Sequence, residues 1–287
     1  MDTSTLTPEN LVKDISGLVT LPDVYLRINR LVEDPDSSSA DIAKAVSQDA
    51  SFTVKLLKLA NSALYSFPST VDTVTKAVTI IGTSQVRSLS LSLSVASSFE
   101  GLPNDLVSMR NFWKHSLLCA LAARHLCREA RRCDADALFT AGLLHDIGEL
   151  IIFNRLPAQA KEALLMVIHS QEEMTVSEAE NQIIGFDHSA VGGALAKQWN
   201  LPTVLQECIA WHHAPAKAEK HPREVSLIHI ANTLAQLAEV DSLDLDDAPP
   251  ITPDAWKATG LEPDIVETVV RAAQEGFTEI EQLFLGQ

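Results

Sequence analysis

The sequence predicts an all-α protein of two packed helical subdomains, and three observations favour the all-α class. The chain has 287 residues, 46% hydrophobic but only 5% aromatic, so Ala, Leu, Val and Ile supply most of its apolar surface, as in packed helices. Helix-starting residues, mainly Pro, Ser, Thr and Asp, recur just before segments with helical periodicity. The one stretch with strand periodicity has no evident partner strand. The length suits one large domain or two ordinary ones.

The first hundred residues predict a series of short helices. Glycines mark two of the helix ends, at Gly17 and Gly82. We place these helices in a first subdomain, residues 8–102. Their predicted starts are Pro8, Pro22, Ser39, Asp49 and Thr73.

The stretch Ser88 to Val95 alternates between serine and apolar residues, which is the period of a strand. Its flanks favour a helix instead, because Thr83 is a good cap and Gln85 and Arg87 are good helix formers. A helix here would present small serines that allow close packing against a neighbour. We therefore predict a helix.

The chain breaks at Leu102-Pro103-Asn104, and we place a subdomain boundary there. The final predicted helix, from Pro263 to Phe284, is amphipathic. We expect it to cover the core, since amphipathic helices mostly bury their own apolar face, with docking on a partner as the alternative. After this boundary we place a second helical subdomain at residues 103–240. An acidic linker follows at residues 241–253, and a C-terminal helical extension occupies residues 254–287.

Net charge and cysteine content limit the partners and the cellular location that we expect for the protein. The net charge of −16 and pI near 4.9 argue against a nucleic-acid surface or an anionic membrane as partner. The four cysteines, at positions 119, 127, 133 and 208, form no C-x-x-C motif, so we expect reduced thiols and a cytoplasmic location. The N-terminus does not resemble a signal peptide, and no run of about 18 apolar residues predicts a membrane span.

The most informative segment is Ala137 to Phe153, predicted to be one buried helix. Its only polar residues are Thr140, His145, Asp146 and Glu149. A buried carboxylate is usually paired, hydrogen-bonded or bound to a metal, because burying it alone costs several kcal/mol or more. The adjacent His145 and Asp146 therefore need partners from elsewhere in the chain.

Candidate partners lie on four other predicted helices. His115 shares a helix face with Phe112 and Cys119, so it points inward. Imidazoles and a carboxylate suit Fe, Mn, Ni or Zn, and two clusters that share one bridging carboxylate could hold two ions. A buried ion pair or hydrogen-bonded pair is the alternative for His145 and Asp146. The full candidate set is His115, His145, Asp146, His188, His212, His213 and Asn232.

The order of these residues resembles the HD superfamily of metal-dependent phosphohydrolases. The chain more closely resembles the HDOD (HD-related output domain) family of bacterial signalling proteins, over roughly residues 8–240. The blocks that carry the resemblance include AVTIIGTSQVRSLSLSLSV, FWKHS, AGLLHDIGEL, DHSAVGGALAKQWNLP and WHHAP. The resemblance implies an all-helical fold whose second subdomain is an HD-like bundle. It also implies that the six histidine and aspartate candidates are metal ligands and that Asn232 stands where the superfamily usually has Asp.

Departures from the catalytic pattern favour a regulatory role. The phosphodiesterase branch for cyclic di-GMP has a Lys, thought to contact phosphate, where this chain has Glu149, and a Gly-Tyr-Pro motif that is absent here. The resemblance therefore implies a non-catalytic or weakly catalytic module that acts through protein partners in signal transduction, as in two-component and response-regulator pathways. A metal-dependent phosphohydrolase acting on a nucleotide or cyclic dinucleotide is the alternative. A metal held for structure or sensing is a third possibility.

Overall fold

The structure, a computed structural model, describes residues 6–13, 21–62, 65, 67, 69–99, 106–131, 133–170 and 174–285. The described residues form α-helices, short 3-10 turns and connectors, without a β-strand. This confirms the predicted all-α class. The stretch from Ser88 to Val95 lies within a helix, as expected. The predicted helix end at Gly17 and the break at residues 102–104 lie outside the described residues, so the predicted subdomain limits remain predictions.

The chain divides into two compact units. One unit comprises Thr20–Glu100 with Gln274–Gln287, and the other comprises Met1–Val19 with Gly101–Ala273. In the former, the helix Asp23–Glu33 packs against Thr83–Ser98, and Ser39–Ser47 packs against Val74–Ile81. Its helices are α2 (Asp23–Glu33), α3 (Ser39–Ser47), α4 (Ala50–Ala60), α5 (Val74–Ile81) and α6 (Thr83–Ser98).

Short polar side chains begin three of these helices. Ser38, one residue before the predicted start, caps α3 in a reciprocal capping box with Asp41. The Asp49 and Thr73 side chains cap α4 and α5 by accepting a hydrogen bond from the backbone N–H of the third residue of each helix, Phe52 and Lys76. Gly82, at φ 97°, ends α5, a conformation that favours glycine.

The larger unit contains the candidate site. Its centre is the helix Met109–Ala130, which packs against Ala135–Leu144 and Pro222–Val240. The helix His188–Gln198 packs against Ile147–Arg155 and Thr203–Trp211. Most residues of this central helix between Phe112 and Cys127 are buried. The helices are α1 (Pro8–Lys13), α7 (Met109–Ala130), α8 (Ala135–Leu144), α9 (Ile147–Arg155), α10 (Pro157–His169), α11 (Val176–Ile183), α12 (His188–Gln198), α13 (Thr203–Trp211), α14 (Pro222–Val240), α15 (Pro253–Thr259) and the first part of α16 (Val266–Leu285).

The prediction of one continuous helix from Ala137 to Phe153 is wrong. The segment forms two helices, because α8 ends at Leu144 and α9 begins at Ile147. Just after the break, α9 packs closely against α12: a Cβ atom on Gly148 would lie 2.0 Å from the carbonyl oxygen of His188. The break lets the adjacent His145 and Asp146 meet at one point, whereas a regular helix separates neighbouring side chains by about 100° around its axis.

The cysteines also differ from the expectation of reduced thiols. Cys127, in the last turn of α7, forms a disulfide with Cys133, with a Cα–Cα distance of 5.8 Å. Arg131, which follows α7 with φ 57°, turns the chain so that the two residues can meet. Cys119 and Cys208 are free and buried. Sequence spacing could not reveal this pair, because the turn that joins them depends on one left-handed residue.

The C-terminal helix buries its apolar face. It begins with a 3-10 turn at Pro263 and continues as α16. Val269 and Ile280 are fully buried, and Phe284 nearly so, as expected for a helix that covers the core. None of the described helices is long and apolar enough to cross a membrane.

Candidate metal centre

Asp146 lies at the centre of four imidazole rings. Its Oδ2 atom is 2.9 Å from Nε2 of His145 and 3.6 Å from Nε2 of His115. Its Oδ1 atom is 3.3 Å from Nε2 of His212 and 3.4 Å from Nε2 of His188. Each carboxylate oxygen thus faces a different pair of rings. His145, His188 and His212 are completely or almost completely buried.

His213 joins one group of potential ligands around this carboxylate, and Asn232 lies beside a second group. Nε2 of His213 lies 2.9 Å from Nε2 of His188, and the Oδ1 atom of Asn232 lies 2.9 Å from Nε2 of His115. Asp146 belongs to both groups, so the arrangement matches two ligand sets that share one carboxylate. One group is Asp146, His188, His212 and His213, and the other is His115, His145 and Asp146, with the potential ligand atoms of each group within 4.8 Å of one another.

Five helices and their ends supply these residues. His115 lies on α7, which packs against α14 and so meets Asn232. His188 is the first residue of α12, whose cap is Asp187. The structure therefore brings together all seven residues proposed from the sequence, from elements far apart in the chain. Their role as metal ligands remains a prediction.

The second nitrogen of each ring facing Asp146 is engaged by an oxygen acceptor. Carbonyl and carboxylate oxygens accept hydrogen bonds, so the proton of a neutral ring is held on Nδ1. The Nε2 lone pairs of His145 and His212 are then directed toward Asp146. This is how metal-ligating histidines are usually held. Nε2 of His188 also faces His213, and Nε2 of His115 also faces the Asn232 oxygen. The four Nδ1 contacts are His145 to the Gly142 carbonyl (2.7 Å), His212 to the Ile209 carbonyl (2.9 Å), His188 to Glu180 (2.7 Å) and His115 to Glu239 (3.3 Å).

Three buried atoms at the centre make no hydrogen bond of good geometry, although the two nitrogens among them lie 2.9 and 3.3 Å from the Asp146 carboxylate. They are Nε2 of His145, Nε2 of His212 and Oδ1 of Asp146. Buried polar atoms are nearly always satisfied, and lone pairs of neutral imidazoles repel a carboxylate unless a positive charge lies between them. Extra protons or a metal cation can supply that charge. The donor set therefore fits a divalent metal ion.

Burial and the nearby carboxylates shift the pKa values of four of the rings. Burial lowers the pKa of His145, but the Asp146 carboxylate outweighs it, and the net pKa lies well above the usual value. Burial also lowers the pKa of His188, which Glu180 and Asp146 then raise well above normal. Burial depresses the pKa of His212 to about 4 and that of His213 well below its usual value. Without a cation, two rings thus favour the protonated form and two the neutral form.

Glu149 places a carboxyl group beside the centre. Its Oε1 atom lies 4.0 Å from Nδ1 of His188, on the side where Glu180 also lies. Burial, together with the charge of Asp146, raises the pKa of Glu149 to about 8. The position that carries a Lys in the phosphodiesterase branch is therefore acidic and in contact range of a candidate ligand.

Sequence reasoning missed Glu180 and Glu239, the two carboxylates that hold candidate ligands. Glu239 lies seven residues after Asn232 on α14, so two helical turns place both on one face, and that spacing could have revealed it. Glu180 is almost fully buried on α11, eight residues before His188 on the next helix. A turn separates the two helices, so no periodicity links that pair.

The fold and this centre together define an all-helical module with an HD-type histidine–aspartate site. Residues 18–215, more than half of the chain, match the HDOD domain family, and the chain belongs to that family.

Solved structures share the fold. An HDOD domain protein of unknown function from Geobacter sulfurreducens is 24% identical, with a TM-score of 0.69 over 96% of this chain and 94% of that one. A candidate phosphohydrolase from Shewanella amazonensis is 22% identical, with a TM-score of 0.75 over 95% and 97% of the two chains. A candidate signal transduction protein from Marinobacter aquaeolei is 20% identical, with a TM-score of 0.72 over 96% of this chain and 61% of that one.

A relative from Treponema pallidum, an uncharacterized protein, is 27% identical over 223 residues. The match covers 76% of this chain but only 42% of the relative. The chain therefore spans less than half the length of that protein.

Proposed function

We propose that this protein is a cytoplasmic HDOD signalling module that holds one or two divalent metal ions around Asp146 and acts through protein partners. The observation that carries the metal proposal is the shared orientation of the four rings. Each ring has its Nδ1 atom beside an oxygen acceptor and its Nε2 atom within 3.6 Å of an Asp146 oxygen. Such an arrangement leaves nitrogen lone pairs available to a cation. Without a positive charge, these lone pairs and the carboxylate repel one another.

The two carboxylate oxygens divide the ligands. His115, His145, Asn232 and Oδ2 of Asp146 would hold one ion. His188, His212, His213 and Oδ1 of Asp146 would hold a second. Imidazole and carboxylate donors suit Fe, Mn, Ni or Zn. An ion bound there would supply Lewis-acid character and lower the pKa of a bound water.

Hydrolysis of phosphate esters is disfavoured by the charge beside the ligands. The Glu180 carboxylate lies 2.7 Å from Nδ1 of His188 and repels a phosphate group. Glu149, with its pKa raised to about 8, supplies no positive charge to hold a phosphate near this ring. Asn232 contributes an oxygen but no charge to offset a second dication. We therefore propose a non-catalytic or weakly catalytic centre. A metal-dependent phosphohydrolase remains the second candidate, because one carboxylate shared between two ligand groups suits two-metal hydrolysis.

Membership of the HDOD family supports the signalling role. The structurally similar Marinobacter protein is described as a candidate signal transduction protein. The net charge of −16 disfavours nucleic acid as a partner, so the partners we propose are other signalling proteins.

A turnover assay separates the two candidates. The untagged protein, supplied with Mn²⁺, Fe²⁺, Ni²⁺ or Mg²⁺, is assayed on a panel of nucleotides and cyclic dinucleotides beside His145→Ala and Asp146→Ala. We expect no more hydrolysis from the parent than from the two variants, with circular dichroism confirming that all three are folded. Hydrolysis present in the parent and lost in both folded variants would establish the phosphohydrolase instead.

A further inference from the structure

The peptide group that joins His212 to His213 is held by a third histidine. α13 ends at Trp211, so the carbonyl of His212, the next residue, accepts no hydrogen bond within the helix. Nδ1 of His229, on α14, lies 2.8 Å from this carbonyl oxygen. Because both neighbouring side chains are candidate ligands, holding this peptide constrains the backbone from which both rings project.

A segment after α14 fixes the tautomer of His229. The backbone N–H of Thr252 donates to Nε2 of His229 at 3.2 Å. Nε2 must therefore carry the lone pair and Nδ1 the proton, which is the form that can donate to the His212 carbonyl. A second bond, from Thr233 Oγ1 to the carbonyl of Pro249 at 3.2 Å, holds the same segment on α14. We call residues 248–253 the strap.

We propose that the strap positions the His212–His213 ligand pair through His229. The chain of contacts runs from the Thr252 N–H to the His229 ring, then to the His212 carbonyl and the two ligand rings. His229 touches no proposed ligand atom, so it is a positioning residue. The strap lies after residue 215, where the match to the HDOD family ends. This inference rests on the proposed metal site and adds a means of controlling it from the C-terminal part of the chain.

Thr252 allows an unusually clean test of the first contact. Its φ of −65° is the angle that proline requires, so Thr252→Pro removes the N–H donor at a compatible backbone angle. Thr252→Val is the matched control, because the buried Oγ1 atom has no hydrogen-bond partner and the N–H stays in place. A second pair, His229→Leu and His229→Gln, removes and partly restores the hydrogen-bonding groups of the ring.

The measurement is calorimetric titration of the metal-free full-length chain with Zn²⁺. The ion held by His212 and His213 is identified as the one weakened by His213→Ala. We expect Thr252→Val to bind it like the parent, and Thr252→Pro and His229→Leu to bind it about 10- to 100-fold more weakly, as for other groups that orient metal ligands. His229→Gln should recover part of the loss. His125→Gln, on α7 outside the centre, controls for the loss of a histidine.

The outcomes distinguish the strap from the metal site itself. A parent that binds no Zn²⁺ overturns the proposed metal site and the strap with it. A parent that binds Zn²⁺, with Thr252→Pro and His229→Leu matching its affinity, overturns the strap alone. If Thr252→Pro does not fold, as judged by circular dichroism, the two His229 variants decide the question.

Discussion

Glu180 binds His188 twice through a single oxygen atom. Its Oε2 atom lies 2.7 Å from Nδ1 of the His188 ring and 2.8 Å from the backbone nitrogen of the same residue. Both the ring and the start of α12 are therefore fixed by one buried carboxylate. The opposite nitrogen of the ring faces Asp146. This pairing of carboxylate, histidine and candidate metal position raises the basicity of the ligand.

Glu180→Gln is expected to weaken metal binding without preventing folding. The amide oxygen can still accept both hydrogen bonds, but the negative charge that favours metal binding by His188 is lost. We predict a decrease in affinity of about tenfold or more, measured by Zn²⁺ titration. Glu178→Gln, two residues away, is the control, because glutamine also serves in a capping box. Equal affinities in both variants would show that Glu180 does not support a ligand.

Glu149 makes the stability of the metal-free protein depend on pH. Its pKa is about 8 in the folded chain and 4.5 in the unfolded reference, so between these values the folded state holds a proton that the unfolded state has released. Stability therefore decreases as pH rises through this window. Glu149→Gln mimics the protonated side chain, so we expect it to be more stable than the parent at pH 8 by on the order of 2–4 kcal/mol.

At pH 5 the two metal-free proteins should have nearly equal stability. Urea unfolding at both pH values, in the presence of a chelator, measures the difference. A Glu149→Gln variant that gains nothing between pH 5 and pH 8 contradicts the assigned environment of Glu149.

Gly148 tests the close approach of α9 and α12. A Cβ at this position would meet the His188 carbonyl oxygen at 2.0 Å and the Gly192 nitrogen at 2.6 Å, and both are backbone atoms that cannot move independently. We predict that Gly148→Ala lowers stability by about 3 kcal/mol or more. Gly192→Ala is a graded comparison, because its Cβ would meet a side-chain methyl of Ile209 at 2.7 Å and no backbone atom closer than 3.4 Å. Thermal unfolding should show the larger loss for Gly148→Ala.

The cysteine assignment is tested by counting thiols. The structure predicts two reactive thiols per unfolded chain, from Cys119 and Cys208, and four after reduction. Mass spectrometry after alkylation should place the bond between Cys127 and Cys133. Four thiols in the unreduced protein would restore the expectation from the sequence.

The sequence predicted the helices and the residues of the centre because both leave local signals. Cap residues such as Asp49 and Thr73 act within one turn, so their effect is visible from neighbouring positions. The buried His145 and Asp146 were visible because polar residues in an apolar segment need partners.

Features that depend on contacts between distant elements could not be predicted. The break between α8 and α9 lies beside the point where Gly148 meets the backbone of α12, and no local pattern encodes that contact. Glu180 meets His188 only because a turn brings α11 beside the start of α12. The link from Thr252 through His229 likewise depends on where the strap crosses α14.

The most direct test of the metal centre is elemental analysis of the untagged protein, purified without chelators, beside Asp146→Asn. Asparagine keeps the size of the side chain but removes the charge that both ligand groups share. We predict about one to two divalent metal ions per chain in the parent and less than about 0.1 in the folded variant. A metal-free parent, or an Asp146→Asn variant that retains the parent's metal content, would contradict the account.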